Sequence, residues 1–295
     1  MEGIENVKER YHFMTMDDAL ALEKALSPEK RALIIGAGLI GLKCFEGIAA
    51  RVKHTEIVDL ASRILPSILD ETGAKMVQSV LEEHGATFYL ADSVAHFDEH
   101  RATLRSGKEV EFDILITAVG VRPNVELVKE AGGEVSRGIV IDAGGRTTLP
   151  DVYAAGDCTE SLDVASGTKK ILALLPNASF QGRIAGVNMA GGEERLTDAA
   201  AFNSIGFFGT HVMTAGVYEG EEYLERTETA YKALFLKDGV LKGFILIDHP
   251  ERAGIYTMLL RKRIPLSEVD LKALEADPKW SALPEEMRRD FAREV

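Results

Sequence analysis

Cysteine is scarce: the 295 residues contain two, Cys44 and Cys158, and no C-x-x-C. Two isolated cysteines make no disulfide framework and suit a reducing cytoplasm, where both are expected to act as small buried hydrophobes. Positive charge is also short. Lys plus Arg is 34 against 47 Asp plus Glu, a net charge of −13, so the phosphates of nucleic acid or of an anionic membrane would repel the protein. The basic trio Arg261, Lys262 and Arg263 suits the solvated last turn of a helix. Long apolar runs are missing too. The longest, Ala32 to Leu42, holds three glycines and is about half of the ~20 residues a membrane helix needs. The N-terminus, MEGIENVKERYHFM, lacks the apolar core of a signal peptide. No P-loop, G-x-S-x-G, internal repeat or low-complexity tract is present. The expectation is a cytoplasmic protein of about two domains, with no nucleic-acid or membrane partner.

What is present follows an α/β order. A helix carrying Ala19, Leu20, Leu22 and Leu26 starts after Asp17 and Asp18 and ends at Ser27-Pro28. RALIIGAGLIG reads as a buried strand, a glycine turn and a helix to about Val52. A strand follows at Glu56–Leu60, then a helix over Glu71–Glu83 and a strand from Thr87 to Ala91. ATLRSGKEVEF reads as a hairpin turning at Ser106-Gly107, and FDILITAVG as another buried strand. Unalternating apolar strands separated by helices imply a parallel sheet covered on both faces. Beyond Pro123 glycine becomes frequent and a helix is expected over Gln181–Met189. AYKALFLKDGVLKGFILI is a hairpin turning at Asp238-Gly239, and the tail from Pro265 reads as polar and helical.

Gly36-Ala37-Gly38-Leu39-Ile40-Gly41 lies between strand and helix. In that G-x-G-x-x-G the first glycine makes a tight turn, the second admits a pyrophosphate and the third lets helix meet strand. Asp59 ends the next strand 21 positions after Gly38, where a ribose-binding acid is expected at about 20. A carboxylate there accepts the ribose hydroxyls of NAD and repels the 2′-phosphate of NADP, with Arg63 the residue that could restore NADP binding. His96-Phe97-Asp98-Glu99-His100 matches the H-x-x-E-H zinc pattern but lies where no helix is expected, so no metal site is assigned. The other histidines show no ligand spacing.

Two further segments, Thr117-Ala118-Val119-Gly120-Val121-Arg122-Pro123-Asn124 and Thr147 to Cys158 (TTLPDVYAAGDC), follow in order. With the glycine fingerprint they resemble the pyridine nucleotide-disulphide oxidoreductase family of two-dinucleotide-binding flavoproteins. The resemblance implies a Rossmann-like NAD(P)-binding domain, the C-terminal part of an FAD-binding domain and a smaller α+β C-terminal domain. It implies boundaries of 1–30 for a lead-in helix left from the FAD domain, 31–124 for the NAD(P)H domain, 125–192 for the FAD part and 193–295 for a C-terminal interface domain. NAD(H) would meet Gly36, Gly38, Leu39, Ile40, Gly41 and Asp59, with Val119 and Gly120 where the chain passes the nucleotide. FAD would meet Gly156, Asp157 and Gln181, the last with Asn177 at a helix start beside the flavin.

The implied activity is hydride transfer from NADH to FAD and on to a small iron protein, oxygen or peroxide, by a homo-oligomer such as a dimer. Two departures accompany the resemblance. Lys43 stands where many relatives carry glutamate near the nicotinamide. The family's first G-x-G-x-x-G, which holds the ADP half of FAD, is absent from this sequence, so the chain by itself is expected not to hold FAD. An alternative is a non-catalytic NAD-binding subunit completed by a separate flavin chain. A flavin-free dehydrogenase would need a base near the nicotinamide, and no His or Tyr-x-x-x-Lys offers one.

Overall fold

The structure, a computed structural model, describes residues 1–249, 252–276, 278–285 and 287–289. The chain divides into two units, Met1–Val121 with Gly206–Thr210, and Arg122–Ile205 with His211–Val295.

In the first unit, β1 (Arg10–Tyr11), α1 (Met16–Ala25), β2 (Arg31–Ile35), α2 (Leu39–Ile48), β3 (His54–Asp59), α3 (Glu71–Glu83) and β4 (Ala86–Leu90) are followed by β5 (Val94–Phe97), β6 (Arg101–Leu104), β7 (Glu109–Glu111) and β8 (Ile114–Thr117). The strands β1-β8-β2-β3-β4 form one parallel sheet in that order. Leu33, Ile34, Ile57, Ile114, Leu115 and Ile116 have no exposed surface, which accounts for the unalternating apolar runs. Asp70 caps α3 by accepting from Gly73 N, and Ala74, Val77 and Leu81 form its buried stripe. The return from β4 to β8 is an antiparallel three-stranded sheet, β5-β6-β7, rather than a helix. Phe97, Leu104, Val110 and Phe112 from that excursion share one apolar cluster with Leu33, Val58 and Leu115 of the parallel sheet. His96 sits on β5, and His100 lies past its end. Among the described residues no group of His, Cys, Asp and Glu could hold a metal ion.

The mouth of β2 is tied to β8 by charge. The carboxylate of Asp113 accepts from the backbone N of Arg31 at 2.8 Å and from its Nε at 3.1 Å, while Glu111 accepts from its Nη1. The Arg31 guanidinium holds the Asp113 carboxyl below the usual carboxylate range. A carboxyl with a lowered folded-state pKa stabilises above its unfolded value, and the contribution is lost as pH falls through the folded one. Asp113→Asn is therefore expected to cost about 1 kcal/mol at neutral pH, with the difference from wild type closing below about pH 4. Denaturant melts of both proteins across that range check it.

The second unit contains α4 (Glu126–Glu130), β9 (Ile139–Val140), β10 (Thr159–Asp163), β11 (Thr168–Lys170), α5 (Leu175–Met189), β12 (Phe202–Phe207), β13 (Thr210–Gly216), β14 (Glu221–Arg226), β15 (Tyr231–Lys237), β16 (Val240–Ile247), α6 (Ala253–Lys262) and α7 (Leu271–Ala276). One sheet runs β11-β10-β9 and the other β12-β13-β16-β15-β14. The β15–β16 hairpin turns at Asp238-Gly239, as its sequence implied. Phe244, Tyr256, Leu259, Leu274 and Leu283 share that unit's core, so the segment after Pro265 is partly buried rather than polar throughout. Pro250, Glu251, Asp277, Glu286 and residues 290–295, part of the expected C-terminal domain, lie outside the described residues. Helix α5 begins at Leu175, well before the expected Gln181. Pro176 sits in its first turn, where a missing N–H costs nothing.

Candidate functional site

The three fingerprint glycines answer three different constraints. Gly36 has φ +114°, and a Cβ on it would lie 2.3 Å from the carbonyl oxygen of Ala118, where the loop passes the end of β8. A Cβ on Gly41 would lie 2.0 Å from the carbonyl oxygen of Gly36, so α2 crosses β2 at glycine distance. Gly38 has an ordinary φ of −86°, and a Cβ there would meet no atom within 4 Å. Its side-chain position is open space at the start of a ten-residue helix. The first bond of α2 runs from Leu42 N to Gly38 O. The amides of Leu39, Ile40 and Gly41 thus have no partner within the helix and stand at its positive end.

Asp59 closes the other side of this loop. Its Oδ2 accepts from Ala37 N at 2.6 Å and its Oδ1 from Ala61 N at 2.7 Å. A carboxylate has about four acceptor positions, so two remain for a diol. Arg63 is committed elsewhere, donating from Nε to Leu69 O and from Nη2 to Pro66 O. It is therefore tied to its own loop by two of its five N–H groups.

Gly36, Gly38, Leu39, Ile40, Asp59, Val119 and Gly120 line one cleft of about 1090 Å³, whereas Gly41 packs against Gly36 and does not line it. The cleft lies outside the carboxyl ends of the strands, where the order reverses between β2 and β8. Ligands of open α/β sheets bind at such a switch point. From β8 to β4 is three strand spacings, about 14 Å, enough to lay out a dinucleotide.

Gly156, Asp157 and Gln181 belong to the second unit. Gly156 has φ +83°, and its N–H donates to Gln181 Oε1 at 2.7 Å. The Thr159 hydroxyl also reaches Gln181 Oε1, and Gln181 Nε2 donates to Ser161 Oγ. Gln181 is buried, and through these bonds it holds the Gly156 turn in place. Asn177 is likewise buried, donating to Ala200 O. Asp157 is exposed, and its carboxylate has no partner among the described residues.

The profile of the pyridine nucleotide-disulphide oxidoreductases matches residues 1–182. The chain belongs to that family. Subunit epsilon of the NADH-dependent phenylglyoxylate dehydrogenase of Aromatoleum evansii is 32% identical over 279 residues, covering 90% of this chain and 66% of that one. The NADH oxidase of Methanocaldococcus jannaschii is 34% identical over 188 residues, covering 62% and 42%. The crystal structure of the covalent putidaredoxin reductase–putidaredoxin complex shares the fold, with a TM-score of 0.83 at 20% identity over 98% of this chain and 70% of that one. The chain thus spans between about two fifths and two thirds of the length of the two curated relatives named.

Within this family member, several residues of the cleft carry no signal in the sequence. Leu60, Asp92, Ser93, Val94 and Arg105 line it, but they come from three separate connections that only the folded sheet brings together. Lys43 is neither in the cleft nor simply solvated: it pairs with Glu46 and donates to Gly206 O at 3.0 Å. Cys44 is buried and its thiol pushed up to about 12 by that burial, whereas Cys158 is half-exposed, which corrects the expectation for the second cysteine.

Proposed function

We propose that the chain binds NAD(H) in the cleft of the first unit and belongs to an FAD-dependent NADH oxidoreductase. The observation that carries this is the open space at Gly38, bounded by free helix amides and by a carboxylate fixed on the neighbouring strand. When bound, NADH supplies a hydride and FAD accepts it. The chain's own residues hold and orient: the α2 amides take the pyrophosphate, Asp59 takes the adenosine ribose, and Val119 and Gly120 border the path beyond. Among the described residues no histidine, tyrosine, lysine or cysteine lines the cleft. That set of residues suits the holding and orienting of a hydride donor. In the second unit the exposed Asp157 carboxylate fits flavin hydroxyls, while the Gly156 amide is already taken.

The acceptor is proposed to be a small iron protein, oxygen, peroxide or another subunit; the putidaredoxin complex supports the first and subunit epsilon the last. That subunit also supports the second reading, in which the flavin half or the acceptor site lies on a separate polypeptide. Cytoplasmic location is supported by two free cysteines, and a homo-oligomer through the C-terminal domain by the family resemblance; light scattering tests the latter.

Titration with NADH and NADPH, followed by nucleotide fluorescence, tests the function. NADH is expected to bind about ten- to a hundredfold more tightly, because Asp59 faces the 2′-phosphate. Equal or tighter NADPH binding overturns the assignment. Asp59→Ala is expected to narrow the gap while weakening both nucleotides, since the amides of Ala37 and Ala61 lose their acceptor.

A further inference from the structure

The cleft is short of positive charge. Among the described residues three acids line it, Glu2, Asp59 and Asp92, and Arg105 is the one cationic side chain that does. Arg105 stands in the turn between β6 and β7, and that turn is fastened down. Arg105 N donates to Ser93 O at 2.9 Å, and Ser106 N donates to Asp92 Oδ1 at 3.4 Å. The Ser106 side chain beside Asp92 also holds that carboxyl below its usual range. Gly107, at φ +87°, closes the turn back to Leu104. The backbone is thus fixed at the rim, yet the guanidinium makes no hydrogen bond or ion pair among the described residues. Arg63, by contrast, donates to Leu69 O and Pro66 O of its own loop.

The sheet order fixes what would lie beside Arg105. A pyrophosphate sits at Gly38 and the adjoining ribose at Asp59 on β3. The next strand outward is β4, whose continuation Asp92–Val94 carries the fastened turn. The group that follows the ribose in that direction is the adenine. Leu60, 76% exposed and also lining the cleft, enters from the β3–α3 connection, whereas Arg105 enters from the antiparallel layer. An uncharged flat ring suits this place better than a further phosphate, because Asp59 and Asp92 line the same cleft.

We infer that Arg105 is a coenzyme-positioning residue whose guanidinium stacks on the adenine of the bound nucleotide, with Leu60 supplying apolar surface to the same ring. The planar guanidinium is suited to such a face. The inference rests on the nucleotide site proposed above.

The test compares Arg105→Ala, Arg105→Lys and Arg105→Tyr with the wild-type chain, titrated with NADH, NADPH and ADP-ribose by calorimetry. Arg105→Ala is expected to weaken NADH and ADP-ribose by about three- to thirtyfold, with an unchanged melting temperature because the side chain has no partner to lose. Tyr, which also stacks, is expected to recover most of the affinity and Lys little of it. Undiminished ADP-ribose binding by Arg105→Ala overturns the inference. So does full recovery by Lys with none by Tyr, or a loss confined to NADPH, each of which marks a contact with phosphate. A wild-type chain that binds neither NADH nor ADP-ribose fails the proposed function itself and is distinguished from these results by its first titration.

Discussion

Gly38→Val is expected to remove NADH binding, by at least about a hundredfold, from a protein that still folds. The backbone at Gly38 is in a region that valine adopts freely, and its Cβ position touches nothing. The unfavourable backbone angle that a glycine fingerprint suggests is therefore not part of the effect. The valine would fill the space of the pyrophosphate and shield the α2 amides. Gly41→Val provides the contrast, because its Cβ would overlap the Gly36 carbonyl and α2 would have to leave the sheet. The first variant is expected to melt near wild type and bind nothing, the second to lose several degrees or fail to fold. Fluorescence titration and thermal melts separate them; NADH bound normally by folded Gly38→Val would leave the loop a structural turn only.

The second large effect concerns flavin. A polypeptide of these 295 residues alone is expected to bind NADH yet carry no stoichiometric FAD and show no diaphorase turnover. The second unit offers the Asp157 carboxylate and a few amides, and the Gly156 N–H is already spent on Gln181. One or two hydrogen bonds at about 1 kcal/mol each do not offset the roughly 4–15 kcal/mol lost on association. Colour and flavin released on denaturation measure it. A yellow preparation with one flavin per chain and no second polypeptide would falsify this expectation. Supplying a separate polypeptide that carries a flavin-type glycine fingerprint is expected to restore both colour and turnover.

Where the determinants are local, the sequence was legible. The strand–turn–helix at Gly36–Gly41 and the bounds of α3 follow from neighbours a few residues apart, Asp70 capping the helix that its own stripe defines. The early start of α5 was hidden because Pro176 reads as a breaker and acts as a first-turn residue. The surroundings of Gln181 were hidden for a different reason. A polar side chain in a motif suggests a ligand, and nothing in one dimension reveals that Gly156, Thr159 and Ser161 surround it. Strands β12 to β14 escaped notice beside the clearer hairpin that follows them. The place of Arg105 in the cleft was invisible because it depends on Ser93 and Asp92, brought to its turn by the closing of an antiparallel layer.

The carboxylate of Asp59, pinned by two amides, also narrows the mutational routes open to this chain. An acid that only repelled a phosphate could be exchanged by a single substitution on the way to another coenzyme. Here its replacement must go on accepting from Ala37 and Ala61. Asparagine, the nearest neutral isostere, has one acceptor oxygen and would turn its NH₂ toward the other amide, donor against donor. A drift in coenzyme preference would therefore have to pass through joint changes in the glycine loop and the segment after β3. A preference for NADH set in this way would be a historical commitment of the backbone rather than of one side chain.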